Sequence, residues 1–220
     1  MSDALDSLGL RGVVAGIVPL WQGGSVAGPV RTLALRRLEE GETPPRGSHL
    51  GARTVDAAAP GDVIVVANAG RDDSAAWGGL LSAAAQRAGV AGVVVDGACR
   101  DVDEAAELGF AVFARSVTPI SARGRTVEEA IDVPVAIGGV TVETGDLVIA
   151  DRSGVAFISG TAADDVLAAA ERIVERERSM HAELRGGATV QAVLDHRYES
   201  MLAGGSAEQP EVRGGTGAVD

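Results

Sequence analysis

Residues 63–67 (VIVVA) and 92–96 (GVVVD) are short β-branched runs, and between them Leu80, Leu81, Ala84, Ala85 and Ala88 recur at helical spacing. A strand, a helix and a second buried strand in that order require a crossover, which makes the two strands parallel neighbours. A short helix ending at Leu108 and a third apolar run at 111–114 extend the alternation. The stretch at 133–158 (VPVAIGGVTVETGDLVIADRSGVAFI) differs: short strands joined by Gly-Asp and Ser-Gly turns give it antiparallel character. Together these patterns predict a mixed α/β architecture with a central mixed sheet.

Other segments read less sharply. Ser2 is placed to cap a short helix through Leu8, residues 26–38 alternate as a strand, and 49–58 reads as a helix. Residues 68–76 (NAGRDDSAA) read as a loop. Thr161 to Asp164 resembles a capping box opening a long helix with an apolar stripe at Val166, Ala170, Ile173, Met180 and Leu184; Glu177 sits in the gap of that stripe. A last helix is expected over 190–202, so the sequence divides into one domain, 1–203, and a glycine-rich, disordered tail, 204–220.

Composition removes several function classes. A formal charge of -12 opposes nucleic-acid binding, which depends on basic patches. No run of about 18 apolar residues exists to cross a membrane, and the acidic start MSDALDSLGL lacks a secretory pattern, so a cytoplasmic location is expected. Cys99 is the single cysteine and reads as a small buried residue, without disulfide partner or zinc site. All 19 basic residues are arginine, so no lysine can form a Schiff base or anchor pyridoxal phosphate. No GxGxxG follows a strand, no P-loop lysine is present, and His49, His181 and His196 have no metal-ligand spacing.

The segment 93–104 (VVVDGACRDVDE) carries more charge than the end of a core strand needs. If the strands at 63–67 and 92–96 are neighbours, the chain following each faces one crevice beyond their carboxyl ends. One side offers Gly78, Gly79, Leu80 and Leu81, whose backbone N–H groups open a helix and suit a carboxylate. The other offers Arg100, a planar donor pair for an anionic oxygen, and Asp101, a hard ligand for magnesium or manganese. Structural readings stand beside these. Asp101 can be the N-cap of a helix at 102–108 with Glu104 closing a box, Arg100 a surface arginine, Gly78-Gly79 a relief of crowding, and Glu177 an outward carboxylate.

Three blocks in order, SDALDSLGLRGVVAGIVPLW, WGGLLSAAAQRAGVAGVVVDGACRD and GDLVIADRSGVAFI, resemble the RraA-like family, which joins regulators of ribonuclease activity A with 4-hydroxy-4-methyl-2-oxoglutarate aldolases, the class II pyruvate aldolases. The similarity spans about residues 2–187. It implies a β/β/α swivelling-domain fold with C-terminal helices, assembled as a homotrimer or hexamer with sites between subunits. By the same resemblance Arg100 holds a 2-oxo acid, Asp101 binds a divalent cation, Gly78 to Leu81 bind substrate through backbone amides, and Glu177, or Glu175 beside it, reaches a neighbouring subunit's metal. Where family aldolases commonly carry an aspartate, this chain has Gly79.

The activity so implied is a magnesium- or manganese-dependent lyase that cleaves 4-hydroxy-2-oxo acids to pyruvate, or decarboxylates oxaloacetate. The other implied function is a non-catalytic regulator that binds a ribonuclease. A quinone methyltransferase label, carried by some relatives, finds no glycine-rich nucleoside-binding loop here.

Overall fold

The computed structural model describes residues 1–22, 24–43 and 49–194. Its centre is four neighbouring strands, β3 (Val26–Arg37), β4 (Val63–Trp77), β5 (Gly92–Cys99) and β6 (Ala111–Val117), paired parallel in that order. The crossovers contain α2 (Ala52–Ala57), α3 (Gly79–Arg87) and α4 (Val102–Leu108). The parallel reading of the middle of the chain therefore holds.

Antiparallel strands extend this centre at both edges. Val26 to Pro29 of β3 pair with β10 (Leu147–Asp151), which continues to β11 (Gly154–Ile158) and β1 (Val13–Val14). At the far edge β2 (Val18–Pro19) pairs with β6, while β7 (Thr126–Ile131) pairs with the C-terminal half of β3. A separate hairpin joins β8 (Val135–Ile137) to β9 (Val140–Val142). The result is a mixed α/β fold with a large mixed sheet, as the sequence implied.

Alternate side chains of the central strands feed two cores, as the two-residue period of a strand requires. Ile64, Val66, Val93 and Val95 pack with Ala85 of α3 and Ala105 of α4. On the other face Val63, Val65, Val94 and Phe113 pack with Ile17, Val135, Ile137 and Val148. Every residue of β5 is buried, which explains the three consecutive valines at 93–95.

Several local expectations are corrected. Residues 68–76 are not a loop between elements but belong to β4, which bends at Ala69 (φ 52°) and Gly70 (φ 68°). Its pairing with β5 resumes as Arg71↔Gly97, Ala75↔Ala98 and Trp77↔Cys99. The polar residues are accommodated because Arg71 Nε donates to Asn68 Oδ1 at 3.1 Å and the Ser74 and Thr126 hydroxyls pair at 3.0 Å. β5 likewise runs past Asp96 to Cys99.

Helix ends also depart from the sequence pattern. Met1, not Ser2, is the N-cap of α1 (Ser2–Ser7). The long helix α5 (Ala163–Arg185) starts after a 3-10 turn with Ala162 as N-cap, and the Thr161 hydroxyl pairs with Ser159 at 3.0 Å instead of capping. Val166, Ala169 and Ile173 of α5 pack on Ala4, Leu5 and Ile158, whereas Met180 and Leu184 are only half-buried. Thr189 caps the short α6 (Val190–Val193); the remainder of the helix expected over 190–202, the tail and His196 lie outside the described residues. No helix among the described residues is long and apolar enough to cross a membrane.

Candidate functional site

The register Trp77↔Cys99 sets the carboxyl ends of β4 and β5 side by side, and the Arg100 N–H donates to the Trp77 carbonyl at 3.1 Å. Gly78 and the start of α3 thus face Arg100 and Asp101, the two groups that the sequence placed in one crevice. A cavity of about 380 Å³ opens between them, lined by Gly78, Leu80, Leu81, Arg100 and Asp101 among others.

Asp101 occupies the N-cap position of α4 in the left-handed conformation, with φ 58° and ψ 43°, and makes no side-chain bond to its own helix. Its Oδ2 accepts the Gly79 N–H at 3.0 Å and lies 3.2 Å from Arg100 Nε. The capping-box reading is therefore corrected: this carboxylate satisfies an orphan donor of α3, not of α4. A left-handed non-glycine residue costs about 1–3 kcal/mol, held by its surroundings, and such strain concentrates at functional positions. Asp101 Oδ1 has no partner among the described residues.

The two glycines leave space. Gly78 is extended (φ -157°), so any residue could adopt its backbone, but a Cβ there would lie 2.8 Å from Asp101 Oδ2 and 3.1 Å from Arg100 Nε. A Cβ on Gly79 would fall on the Glu104 carboxylate, with Cδ at 2.8 Å and Asp101 Cβ at 3.2 Å. The relief-of-crowding reading is correct as far as it goes, and what crowds is the charged cluster itself. The N–H groups of Leu80 and Leu81 have no acceptor among the described residues, and the Leu80 side chain is 83% exposed at the cavity rim.

Not every candidate joins this cluster. Glu177 is half-buried on α5 and Glu175 is exposed, 3.5 Å from Arg178; neither lines the cavity of its own chain. His181 is exposed. His49, set aside on spacing, does line the cavity, as do Arg123 and Glu128. Glu128 is nearly covered, accepts the Gly51 N–H at 3.1 Å and lies 3.2 Å from Arg53 Nη1. These three arrive from the approach to α2, the loop before β7 and β7 itself, so no local spacing in the sequence could have grouped them.

The remaining charge of the 93–104 segment is structural. Asp96, 4% exposed, accepts from Arg115 Nε and from the Gly138 N–H, which holds the β8–β9 hairpin against the sheet. Cys99 is buried, and burial pushes its thiol well above the usual range.

The chain is 33% identical over 205 residues to Protein DlpA of Legionella pneumophila, covering 93% of this chain and 33% of that one, so it spans about a third of the length of that relative. It is 36% identical over 173 residues to a Halalkalibacterium halodurans protein named "Putative 4-hydroxy-4-methyl-2-oxoglutarate aldolase", covering 78% of this chain and 77% of the other. Streptomyces coelicolor RraAS2, described as an unusual member of the RNase ES inhibitor RraA protein family, superposes with a TM-score of 0.73 at 32% identity, over 81% of this chain and 89% of that one. The RraA-like family model (Aldolase/RraA) matches residues 1–157. On these grounds the chain belongs to the RraA-like family.

Proposed function

We propose that the protein is a divalent-metal-dependent lyase that cleaves 4-hydroxy-2-oxo acids, of the 4-hydroxy-4-methyl-2-oxoglutarate type, to pyruvate, with oxaloacetate decarboxylation as a related activity. The observation that carries this reading is the convergence on one cavity of Arg100, Asp101 and the start of α3, where the N–H groups of Leu80 and Leu81 have no acceptor among the described residues. The names of the aldolase relatives point the same way.

The residues fit a magnesium or manganese ion. Asp101 lines the cavity and its Oδ1 is a hard oxygen with no partner among the described residues, and magnesium commonly takes one or two protein carboxylates and keeps its remaining waters. A bound ion would supply Lewis-acid polarisation of the substrate's 2-oxo group.

The chain's own groups account for the rest. The Leu80 and Leu81 N–H groups receive the substrate's 1-carboxylate at the positive end of α3. In the retro-aldol step the 4-hydroxyl loses its proton to a water, the bond between C3 and C4 breaks, and its electron pair moves through C3 and C2 onto the 2-oxo oxygen. The Arg100 guanidinium, a fixed donor held beside Asp101, stabilises the charge on that oxygen. Protonation at C3 then yields pyruvate. Decarboxylation differs only in the group that leaves.

The reading also asks for a homotrimer or hexamer in which Glu177 of one subunit, or Glu175, faces Asp101 of another. Leu80 and Val117, 83% and 60% exposed near the site, are apolar surface that a second copy would cover. A lactate dehydrogenase-coupled screen for pyruvate release, with and without magnesium, tests the proposal across 4-hydroxy-2-oxo acids and oxaloacetate. Magnesium-dependent release supports it, and no release from any of them rejects it. The second reading, a regulator that binds a ribonuclease, draws on the description of RraAS2 and on Gly79. Stoichiometric ribonuclease binding by a preparation inactive in the screen would favour it.

A further inference from the structure

The cavity is larger than the three carbons of pyruvate require. Its volume of about 380 Å³ falls among cavities that enclose whole small molecules, which leaves room for the fragment that departs. Leu50, Ala75, Ala76 and Leu81 give it an apolar lining.

Four arginine, aspartate and glutamate residues also line it, and three of them are matched. Arg100 lies 3.2 Å from Asp101. Glu128 accepts the Gly51 N–H at 3.1 Å and lies 3.2 Å from Arg53 Nη1, so its charge is already offset. The Arg123 guanidinium has neither a hydrogen bond nor an ion pair among the described residues. A permanent cation without an acid, in a chain of formal charge -12, suits an anion that arrives with the ligand.

The segment that carries Arg123 is fixed at both ends. The Thr118 N–H donates to the Cys99 carbonyl at 2.9 Å, and the Ala75 N–H to the Ile120 carbonyl at 2.8 Å. Beyond Arg123, the Leu38 N–H donates to the Arg125 carbonyl at 2.8 Å, and the Arg123 N–H itself donates to Ser121 Oγ at 3.2 Å. The ends of β4 and β5 that carry Gly78 and Arg100 therefore also hold this segment, which sets its position before any substrate binds.

We infer that Arg123 holds the distal carboxylate of a diacid substrate, so that the cavity selects 4-hydroxy-2-oxo diacids over monoacids. The inference rests on the lyase reading above. When C3 and C4 part, the electron pair goes to the 2-oxo oxygen and the 4-hydroxyl proton to water. The carboxylate on C4 keeps its charge and leaves on a second 2-oxo acid. Arg123 then binds substrate and transition state alike, which lowers KM and not the chemical barrier. In oxaloacetate decarboxylation the distal carboxylate loses its charge as carbon dioxide forms, so a cation that grips it stabilises the ground state more. Arg123 thereby favours cleavage over decarboxylation.

The test is steady-state kinetics of the full chain with magnesium, for wild type, Arg123→Gln and Arg123→Lys, with thermal melts of each. The substrates are 4-hydroxy-4-methyl-2-oxoglutarate, 4-hydroxy-2-oxopentanoate, which lacks the distal carboxylate, and oxaloacetate. Arg123→Gln should lower the kcat/KM ratio of diacid to monoacid about tenfold or more, through KM, and Arg123→Lys should restore part of it. Turnover at saturating oxaloacetate should not fall. An unchanged ratio, or a wild type that cleaves the monoacid and not the diacid, would overturn the role of Arg123 and leave the lyase reading intact. Equal losses on all three substrates with a lowered melt would also overturn it, assigning Arg123 to the stability of its segment. A wild type that releases pyruvate from none of them would overturn both.

Discussion

Asp101 Oδ2 accepts the backbone N–H of Gly79 at 3.0 Å, so the residue that begins α4 caps α3 instead. One carboxylate oxygen thereby joins the ends of two parallel strands, the other has no partner among the described residues, and Asp101 itself lines the cavity.

Asparagine is the informative replacement for Asp101, because it tolerates the left-handed backbone and its amide oxygen can still accept from Gly79. Asp101→Asn should lower pyruvate release by about a hundredfold or more while changing stability by less than about 1 kcal/mol. The coupled assay and a urea titration measure the two effects separately. Removal of metal by a chelator should reproduce the first without the second.

An ammonium cannot reproduce the planar fork with which Arg100, resting against Asp101, would meet the oxyanion of the proposed reaction. Arg100→Lys is expected to reduce kcat/KM by about 10²-fold, with most of the loss in kcat. A near-normal kcat would remove Arg100 from the transition state.

Gly78 is occupied by its neighbours' side chains and not by an unusual backbone. Gly78→Ala should fold normally, since the atoms it meets belong to the side chains of Asp101 and Arg100 and not to backbone, yet both side chains must shift. Steady-state kinetics should show a raised KM and a lowered kcat together, with an unchanged circular dichroism melt.

Asp96 is nearly buried and serves Arg115 and the Gly138 N–H. Asp96→Ala strands both donors, and the expected cost is about 3 kcal/mol, read from the urea midpoint. Asp96→Asn, which can satisfy one donor, should cost less.

Burial raises the Cys99 thiol above its ordinary value, so the thiol form prevails through neutral and mildly alkaline pH. At pH 8 a thiol reagent should leave the native protein unlabelled and react stoichiometrically once guanidinium unfolds it. Fast labelling of the folded chain would show that β5 opens locally.

Much of the fold was legible because periodicity reports burial. The β-branched runs at 63–67 and 92–96 and the stripe from Leu80 to Ala88 gave parallel strands and their crossover, and neighbouring strands were enough to bring Gly78 and Arg100 together. Helix ends were less legible, because a serine, threonine or aspartate caps a helix only when no better partner is near. Thr161 turned to Ser159 and Asp101 to Gly79, the latter a contact between residues far apart in the chain. Residues 68–76 misled for a related reason: their polarity is that of a loop, but the buried Asn68 and Ser74 find partners in Arg71 and Thr126 that keep them within β4. His49, Arg123 and Glu128 carry no local signature and reach the cavity only through tertiary folding.

β5 is inaccessible along its full length, and Arg100 and Asp101 follow Cys99 with no spacer. The Arg100–Asp101 pair is therefore bolted to the part of the molecule whose amides should exchange with deuterium last. Warming that loosens peripheral turns would leave the spacing of guanidinium and carboxylate unaltered, so turnover should persist until the cooperative collapse of the sheet and then vanish with it.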